Sequence, residues 1–229
     1  MTKYWVGLVA CMAALPVEAQ TGIALAGAEG GHDAGYVYVG SVLPLPGSAL
    51  GKGWVQRYWL DYNTYRYEKD PAHDVDAKVA GFEAALGWHD SSEKGRWGAY
   101  LGGRYGNTRL RPDDPANDDR GEEFNVTVQL EGEAALTRTW RVNGIVNHVA
   151  GESDFWSRLR LQTVLGNQLL VGPELVAQGD PRYRLYKLGA FIGGIKLGPD
   201  AALTLKAGAS KQDSYSAGAY AGIEWYMPY

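Results

Sequence analysis

The chain is poor in three things that most folds of its length use. It has one cysteine, Cys11, inside an N-terminal stretch read below as a cleaved leader. A chain cut there carries no disulfide, no thiol nucleophile and no cysteine-ligated metal. No segment after residue 20 approaches the ~20 consecutive apolar residues that a membrane-spanning helix needs, so helical crossing is excluded. Positive charge is not in excess either: 22 Lys and Arg stand against 26 Asp and Glu, a net charge of −4. Removing Lys3 and Glu18 with the leader leaves that balance unchanged, and it argues against a nucleic-acid partner, which would require a basic face. What is abundant is glycine, tyrosine and tryptophan (31, 15 and 8, against only 4 Phe) at a mean hydropathy of −0.28. Such a mixture suits strands with one face toward lipid and the other toward a polar interior.

The N-terminus reads as a secretory leader. Lys3 supplies a basic n-region, Tyr4 to Leu15 is apolar, and Pro16 breaks the run before Val17-Glu18-Ala19. Leu8-Val9-Ala10-Cys11 resembles a lipoprotein box, but the apolar stretch continues to Leu15, so cleavage after Ala19 is the better reading. Residues 1–19 are expected to be a signal peptide and residues 20–229 the mature domain.

Beyond residue 20, short segments alternate apolar and polar between turn signals. Phe124, Val126, Val128, Leu130, Ala134 and Leu136 share one parity; Asn125, Thr127, Gln129, Glu131 and Glu133 share the other. Period two puts the two sets on opposite faces of a strand, whereas a helix would scatter the glutamates among the apolar residues. Strands are expected near 21–28, 34–43, 54–67, 75–88, 96–108, 124–136, 139–150, 155–166, 168–178, 184–197, 201–211 and 214–226. The expected fold is all-β: a transmembrane antiparallel up-and-down barrel of about twelve strands. Starting the chain in the periplasm puts Glu29–Ala34, Glu68–Asp74, Arg109–Glu123, Gly151–Asp154, Gly179–Tyr183 and Gln212–Asp213 outside, and mostly short turns inside. Pro44–Gly53 is long for an inner turn. The last strand alternates Ile223, Trp225, Met227 and Tyr229 to its aromatic end, which resembles the assembly signal of outer-membrane proteins.

The polar parity collects Arg57, Asp61, Glu83, Arg104, Glu131, Glu133, Arg158, Arg160, Glu174, Lys187, Lys206 and Glu224, six acids and six bases. In a soluble barrel these would be ordinary surface charges. In a membrane barrel they face the lumen and must pair, because isolated buried charges are costly. The aromatics divide likewise. Trp54, Tyr58, Tyr62, Trp88, Trp97, Tyr105, Trp140 and Trp225 lie on the lipid-facing parity near strand ends, as an interfacial girdle would. Trp59, Tyr65, Tyr100, Trp156 and Tyr220 lie on the polar parity. Together with Arg57, Arg158 and Arg160 they are the candidates for glycan contact, since sugar rings have apolar faces and hydroxyl rims. Two readings stay open for them: a sugar track, or a simple plug in a narrow barrel.

Catalytic signals are sparse. His32, His73, His89 and His148 stand in no metal-ligand spacing, and no metal or cofactor is expected. Asp113–Asp119 is acidic but lacks the EF-hand spacing, so it reads as a solvated loop rather than a calcium site. His148 and Ser157 are the one pair that could support acyl hydrolysis on the barrel wall. Barrel hydrolases carry His-x-Ser on one strand, and Ala150 occupies that place here. The expectation is no enzyme.

Several stretches carry a family resemblance. They are Tyr36-Val37-Tyr38-Val39-Gly40, Leu45-Pro46-Gly47-Ser48-Ala49-Leu50-Gly51-Lys52-Gly53-Trp54, Arg111-Pro112-Asp113-Asp114-Pro115, Val128-Gln129-Leu130-Glu131-Gly132-Glu133, Arg141-Val142-Asn143-Gly144-Ile145 and Gly172-Pro173-Glu174-Leu175-Val176-Ala177-Gln178-Gly179-Asp180-Pro181. They resemble the cellulose biosynthesis protein BcsS family of alphaproteobacteria. The resemblance implies a bacterial outer-membrane protein associated with cellulose production, export or surface organisation, and brings no catalytic residues. It implies outer-membrane lipid, cellulose or cello-oligosaccharide, and periplasmic cellulose-synthesis components as partners. The alternatives are a narrow porin-like channel for oligosaccharides and, more remotely, an outer-membrane acyl hydrolase.

Overall fold

The computed structural model describes residues 22–229 except 33, 71–72, 118, 152–153, 167, 181–183 and 214. The expected leader, with Cys11, lies outside the described residues. Twelve antiparallel strands form a closed ring in which each pairs with its sequence neighbours and the first pairs with the last. They are β1 (Ile23–Gly31), β2 (Ala34–Pro44), β3 (Gly53–Asp70), β4 (His73–Ser92), β5 (Gly95–Arg111), β6 (Gly121–Ala135), β7 (Trp140–Ala150), β8 (Asp154–Leu165), β9 (Leu169–Gly179), β10 (Arg184–Lys196), β11 (Ala202–Gln212) and β12 (Gly218–Pro228). The twelve-strand antiparallel barrel read from the alternation is the fold.

Burial follows parity, inside out relative to a soluble protein. On β6, Phe124 and Leu130 are exposed by 74% and 57%, while Thr127 between them is 1% exposed. Outward residues of β3 (Trp54, Tyr58, Leu60, Tyr62), β4 (Phe82, Leu86, Trp88) and β5 (Trp97, Leu101, Tyr105) are all exposed apolar groups. An exposed apolar band this continuous has to be covered, and lipid is what covers it. From Trp54 to Tyr62, at ~3.3 Å per residue and a tilt of ~40°, the band is about 20 Å tall before side-chain reach is added, close to the outer-membrane value. Trp54 and Trp88 are register partners packed edge to face at 5.3 Å, and with Trp97 and Trp140 they mark one rim. Phe82, Tyr105 and Phe124 are in register across β4, β5 and β6 and mark the other. The protein is an outer-membrane β-barrel.

β3, β4 and β5 have 18, 20 and 17 residues, against 11 for β2, β7, β9, β11 and β12. These three were expected over 54–67, 75–88 and 96–108, shorter by one to four residues at each end. Past the aromatic rim the alternation reverses sign: the outward face turns polar, while the inward face packs Tyr67, Val75, Ala77 and Leu110 against Tyr65. The projecting wall and the loop of residues 112–120 mark the outer end, because such barrels keep their longer excursions outside.

Candidate functional site

Period-two strands send every second residue inward, so the lumen is where the polar chemistry converges. All twelve charges expected there do face it, and each has a polar partner. Arg57 and Glu83, on β3 and β4, form a buried ion pair. Asp61 on β3 accepts two hydrogen bonds from Arg104 on β5, at 2.6 and 2.8 Å. That bridge passes over Gly81, where a Cβ would sit 2.2 Å from the guanidinium, so a larger residue there would require the Arg104 side chain to shift.

A larger network crosses the lumen. Glu224 on β12 accepts hydrogen bonds from Arg158 at 3.1 Å and from Arg160 at 2.9 and 3.1 Å, both on β8, four strands away around the ring. Arg160 also grips Glu174 on β9 at 2.6 Å, and Tyr220 donates to the same carboxylate at 3.3 Å. Lys206 lies 3.1 Å from Glu224 and 2.6 Å from Glu29, which also pairs with Lys187. Glu29 was expected in the first outer loop. It belongs to β1, with inward parity shared by Leu25 and Gly27; the Gly- and Ala-rich composition of that strand hid its length. Elsewhere, Glu133 accepts from Arg141 at 2.6 Å and Gln162 at 3.0 Å, and Glu131 accepts from Tyr100 at 3.2 Å and Gln129 at 3.0 Å.

The five inward aromatics occupy different situations. Tyr100 and Tyr220 are 4% and 3% exposed, lying under Arg57 and Lys187. Tyr65 sits beside Tyr67 in the outer mouth. Trp59 and Trp156 are only half-buried. Trp59 stacks on Tyr38 with ring centres 4.5 Å apart and planes 14° from parallel, and its Nε1 donates to the Tyr36 hydroxyl at 3.0 Å. Sequence reasoning did not assign Tyr36 and Tyr38 to the site, although their shared parity within Tyr36-Val37-Tyr38 was visible. The Trp59 ring lies flat over Gly40, where a Cβ would come within 2.2 Å of it. Three to five strands farther round the ring, β6 and β7 present Asn125, Gln129, Asn143 and Asn147, all half-buried, and β8 adds Trp156 next to Arg158. The half-buried lumen surface thus combines aromatic and amide groups with Glu131, whose side chain is 33% exposed and is held by Tyr100 and Gln129, while the other charges are spent in ion pairs.

Both ends are narrowed. The long β2–β3 turn, anomalous by length, folds inward: Leu50 packs on Val42, Val55, Ala85 and Tyr100, and the Gly51 amide donates to His89 Nδ1 at 3.3 Å. At the outer end, the loop of residues 112–120 docks on the projecting wall. Tyr67 donates to Asp114 at 2.8 Å, Asn117 donates to Tyr67 at 3.0 Å, and Lys69 pairs with Asp114 at 2.9 Å. The hydrogen bonds from Lys69 and Tyr67 hold the Asp114 carboxyl below the usual carboxylate range. From the other side, Gln212 donates to the Arg66 carbonyl at 2.7 Å and Tyr215 to Asp74 at 2.6 Å. On the outer wall, His148 Nδ1 lies 3.0 Å from the Asp154 carbonyl and Ser157 donates to the Ala177 carbonyl at 3.1 Å, so each engages backbone rather than the other.

Comparison with known proteins places this geometry. The family described as cellulose biosynthesis protein BcsS matches residues 23–229. A search of curated proteins found no match. Among solved structures, the KdgM porin in complex with disordered oligogalacturonate is similar at TM-score 0.53 and 8% identity, over 90% of this chain and 98% of that one. The Pseudomonas putida toluene transporter TodX is similar at TM-score 0.51 and 9% identity, over 92% and 89%. The COG4313 outer membrane channel from Pseudomonas putida F1 is similar at TM-score 0.50 and 12% identity, over 94% and 97%. At these identities the likeness concerns the fold.

Proposed function

The chain belongs to the cellulose biosynthesis protein BcsS family, and from that premise we propose that this outer-membrane barrel is a non-enzymatic element of cellulose export or surface organisation whose lumen holds a glucan chain. One observation carries the reading: apart from Glu131, the lumen charges sit in ion pairs, and beside them lie the half-buried Tyr38–Trp59 stack with Asn125, Gln129, Asn143, Asn147 and Trp156. A neutral polymer of rings with hydroxyl rims is recognised by aromatic faces and amide hydrogen bonds, without a net field. A lumen built for acidic sugars would show unpaired bases instead.

The test is tryptophan fluorescence of the refolded barrel titrated with cello-oligosaccharides. Saturable quenching is expected, weakened about tenfold by Trp59→Ala, which removes a stacking contact worth about 1–1.5 kcal/mol. No saturable change, or equal affinity in the variant, would move the function out of the lumen. A second reading, a narrow oligosaccharide channel, draws on the similarity to a porin solved with an oligogalacturonate. Liposome swelling in neutral against acidic oligosaccharides separates the two, because a holding lumen admits neither.

A further inference from the structure

A cluster of basic side chains lies outside the lumen, on the outward face of the projecting wall. Arg66 on β3, Lys78 on β4, and Arg109 and Arg111 on β5 are all exposed there. Register sets them in two rows: Thr64, Lys78 and Arg109 in one, Arg66, Asp76 and Arg111 in the next. Lys78 thus directly faces Arg109 across neighbouring strands, on the same side of the sheet. Like charges so opposed destabilise a sheet unless something neutralises them. Asp76 is the acid within the two rows, and Arg66 takes it at 2.8 Å. Among the described residues, the side chains of Lys78, Arg109 and Arg111 have no ion pair or hydrogen bond. Glu122 on β6, beside Asn107, is the nearest acid laterally, and Glu68 and Asp74 face each other one row farther out. The chain as a whole is at −4, so this is a local concentration against the net field.

Height narrows the ligand. Lys78 lies two residues beyond Ala80, the register partner of Tyr62, and Arg109 lies four beyond Tyr105. At ~3.3 Å per residue and a tilt of ~40°, the cations stand about 5–10 Å above the upper aromatic rim, which is headgroup level. Immediately beneath them the wall is apolar, with Leu60, Tyr62, Phe82 and Tyr105 exposed. The three strands spread the cations over ~10 Å, at ~4.8 Å per strand, and guanidinium forks match phosphate oxygens in pairs.

We propose that this patch binds the phosphates of an anionic lipid in the outer leaflet, a phosphorylated glycolipid of the lipid A type, with its acyl chains against the apolar wall below. The phosphates supply the counter-charge that Lys78 and Arg109 lack, and the acyl chains distinguish the ligand from a soluble anion. The inference depends on the barrel's orientation in the membrane and is independent of any glucan in the lumen.

The test uses the refolded full chain in zwitterionic detergent. Three probes are titrated: bis-phosphorylated lipid A, the same lipid dephosphorylated, and inorganic pyrophosphate. Lipid retention is read by native mass spectrometry, and the thermal unfolding midpoint by gel mobility. Wild type should retain the phosphorylated lipid at least tenfold more tightly than the dephosphorylated one. Lys78→Gln/Arg109→Gln should erase at least a tenfold share of that preference, the scale of one charge-assisted hydrogen bond, and Lys94→Gln/Arg138→Gln at the inner turns should not. Without lipid, the patch variant should unfold at the same temperature as wild type or above it, because a repulsion is gone; this also checks that it folds. Equal binding by wild type and the patch variant overturns the proposal, as does equal binding of the two lipids. Protection by pyrophosphate equal to that by the lipid would make this a free-anion patch, which also overturns it.

Discussion

Glu224→Gln is the perturbation that most directly tests whether charge pairing holds the lumen together. The carboxylate receives three hydrogen bonds from Arg158 and Arg160, at 2.9–3.1 Å, and lies 3.1 Å from Lys206. Glutamine keeps the shape and one acceptor but removes the charge. The cluster of Arg158, Arg160, Lys187 and Lys206 with Glu29, Glu174 and Glu224 has four bases and three acids, so it moves from +1 to +2. Arg158 loses its acid and keeps the Asn143 side-chain Oδ1 at 3.4 Å. Breaking one side of a buried ion pair costs about 3–5 kcal/mol. The Glu224 side chain is 16% exposed and glutamine still accepts, so the low end, about 3 kcal/mol, is expected. That is roughly a hundredfold in the folded-to-unfolded ratio, measurable as a lowered denaturant midpoint for the barrel in vesicles. Arg158→Met in the same background should recover part of the loss, giving a coupling energy above about 0.5 kcal/mol in a double-mutant cycle. A Glu224→Gln barrel within about 0.5 kcal/mol of wild type would refute the argument, because it would mean that water already satisfies these charges.

Three further outcomes follow from particular contacts. Val128→Arg, midway between the Phe124 rim and the Trp97 rim, should cost about 2–4 kcal/mol in vesicles; on a water-facing wall the same exposed position (43%) would tolerate it, and denaturant titration decides. Gly40→Ala places a Cβ within 2.2 Å of Trp59, so the Tyr38–Trp59 stack should be lost from the near-ultraviolet dichroism while the barrel still forms. Asp114 has a lowered carboxyl pKa, so its contribution to docking the outer loop is present above the ordinary carboxylate range and is lost as pH falls through the lowered value; protease protection of residues 112–120 should fade only below that range, and Asp114→Asn should remove the pH dependence.

The sequence made much of this legible because a membrane barrel writes its geometry in period two. Parity alone identified Glu131 and Glu133 as inward and Leu130 as outward, and it collected twelve charges of which eleven sit in ion pairs with Arg, Lys, Asp or Glu, while Glu131 is held by Tyr100 and Gln129. It was less informative where composition flattens the alternation. β1 carries Ala24, Ala26, Gly27 and Ala28, so nothing in hydropathy said that the strand continues through Glu29. The extra length of β3–β5 was hidden for another reason, since on the projecting wall the alternation reverses, with polar residues outward and Tyr67, Val75, Ala77 and Leu110 inward. Pairings were beyond reach: that Glu224 meets Arg158 and Arg160 depends on barrel curvature bringing β8 and β12 together, which no local pattern encodes. The length of the β2–β3 turn was noticed, but that Leu50 folds back into the lumen depends on the Val42–Val55–Tyr100 cluster waiting for it.

The same pairings bear on whether a glucan is held or passed. For a chain to cross between β8 and β12, the bridges from Arg158 and Arg160 to Glu224 have to separate, at about 3–5 kcal/mol for each buried pair broken. A neutral sugar returns hydrogen bonds worth about 0.5–1.5 kcal/mol each and cannot replace a counter-charge, so several would be needed for every pair. Lying along the half-buried amides of β6 and β7 and the Tyr38–Trp59 stack breaks no ion pair. Binding without passage is therefore the expected resting behaviour: cello-oligosaccharides quench tryptophan while single-channel current through wild type stays small and insensitive to them. Glu224→Gln should raise that current and make it blockable by the same sugars. A steady wild-type current that cello-oligosaccharides block would show that the bridges do not close the path, and would favour the channel over the holding lumen.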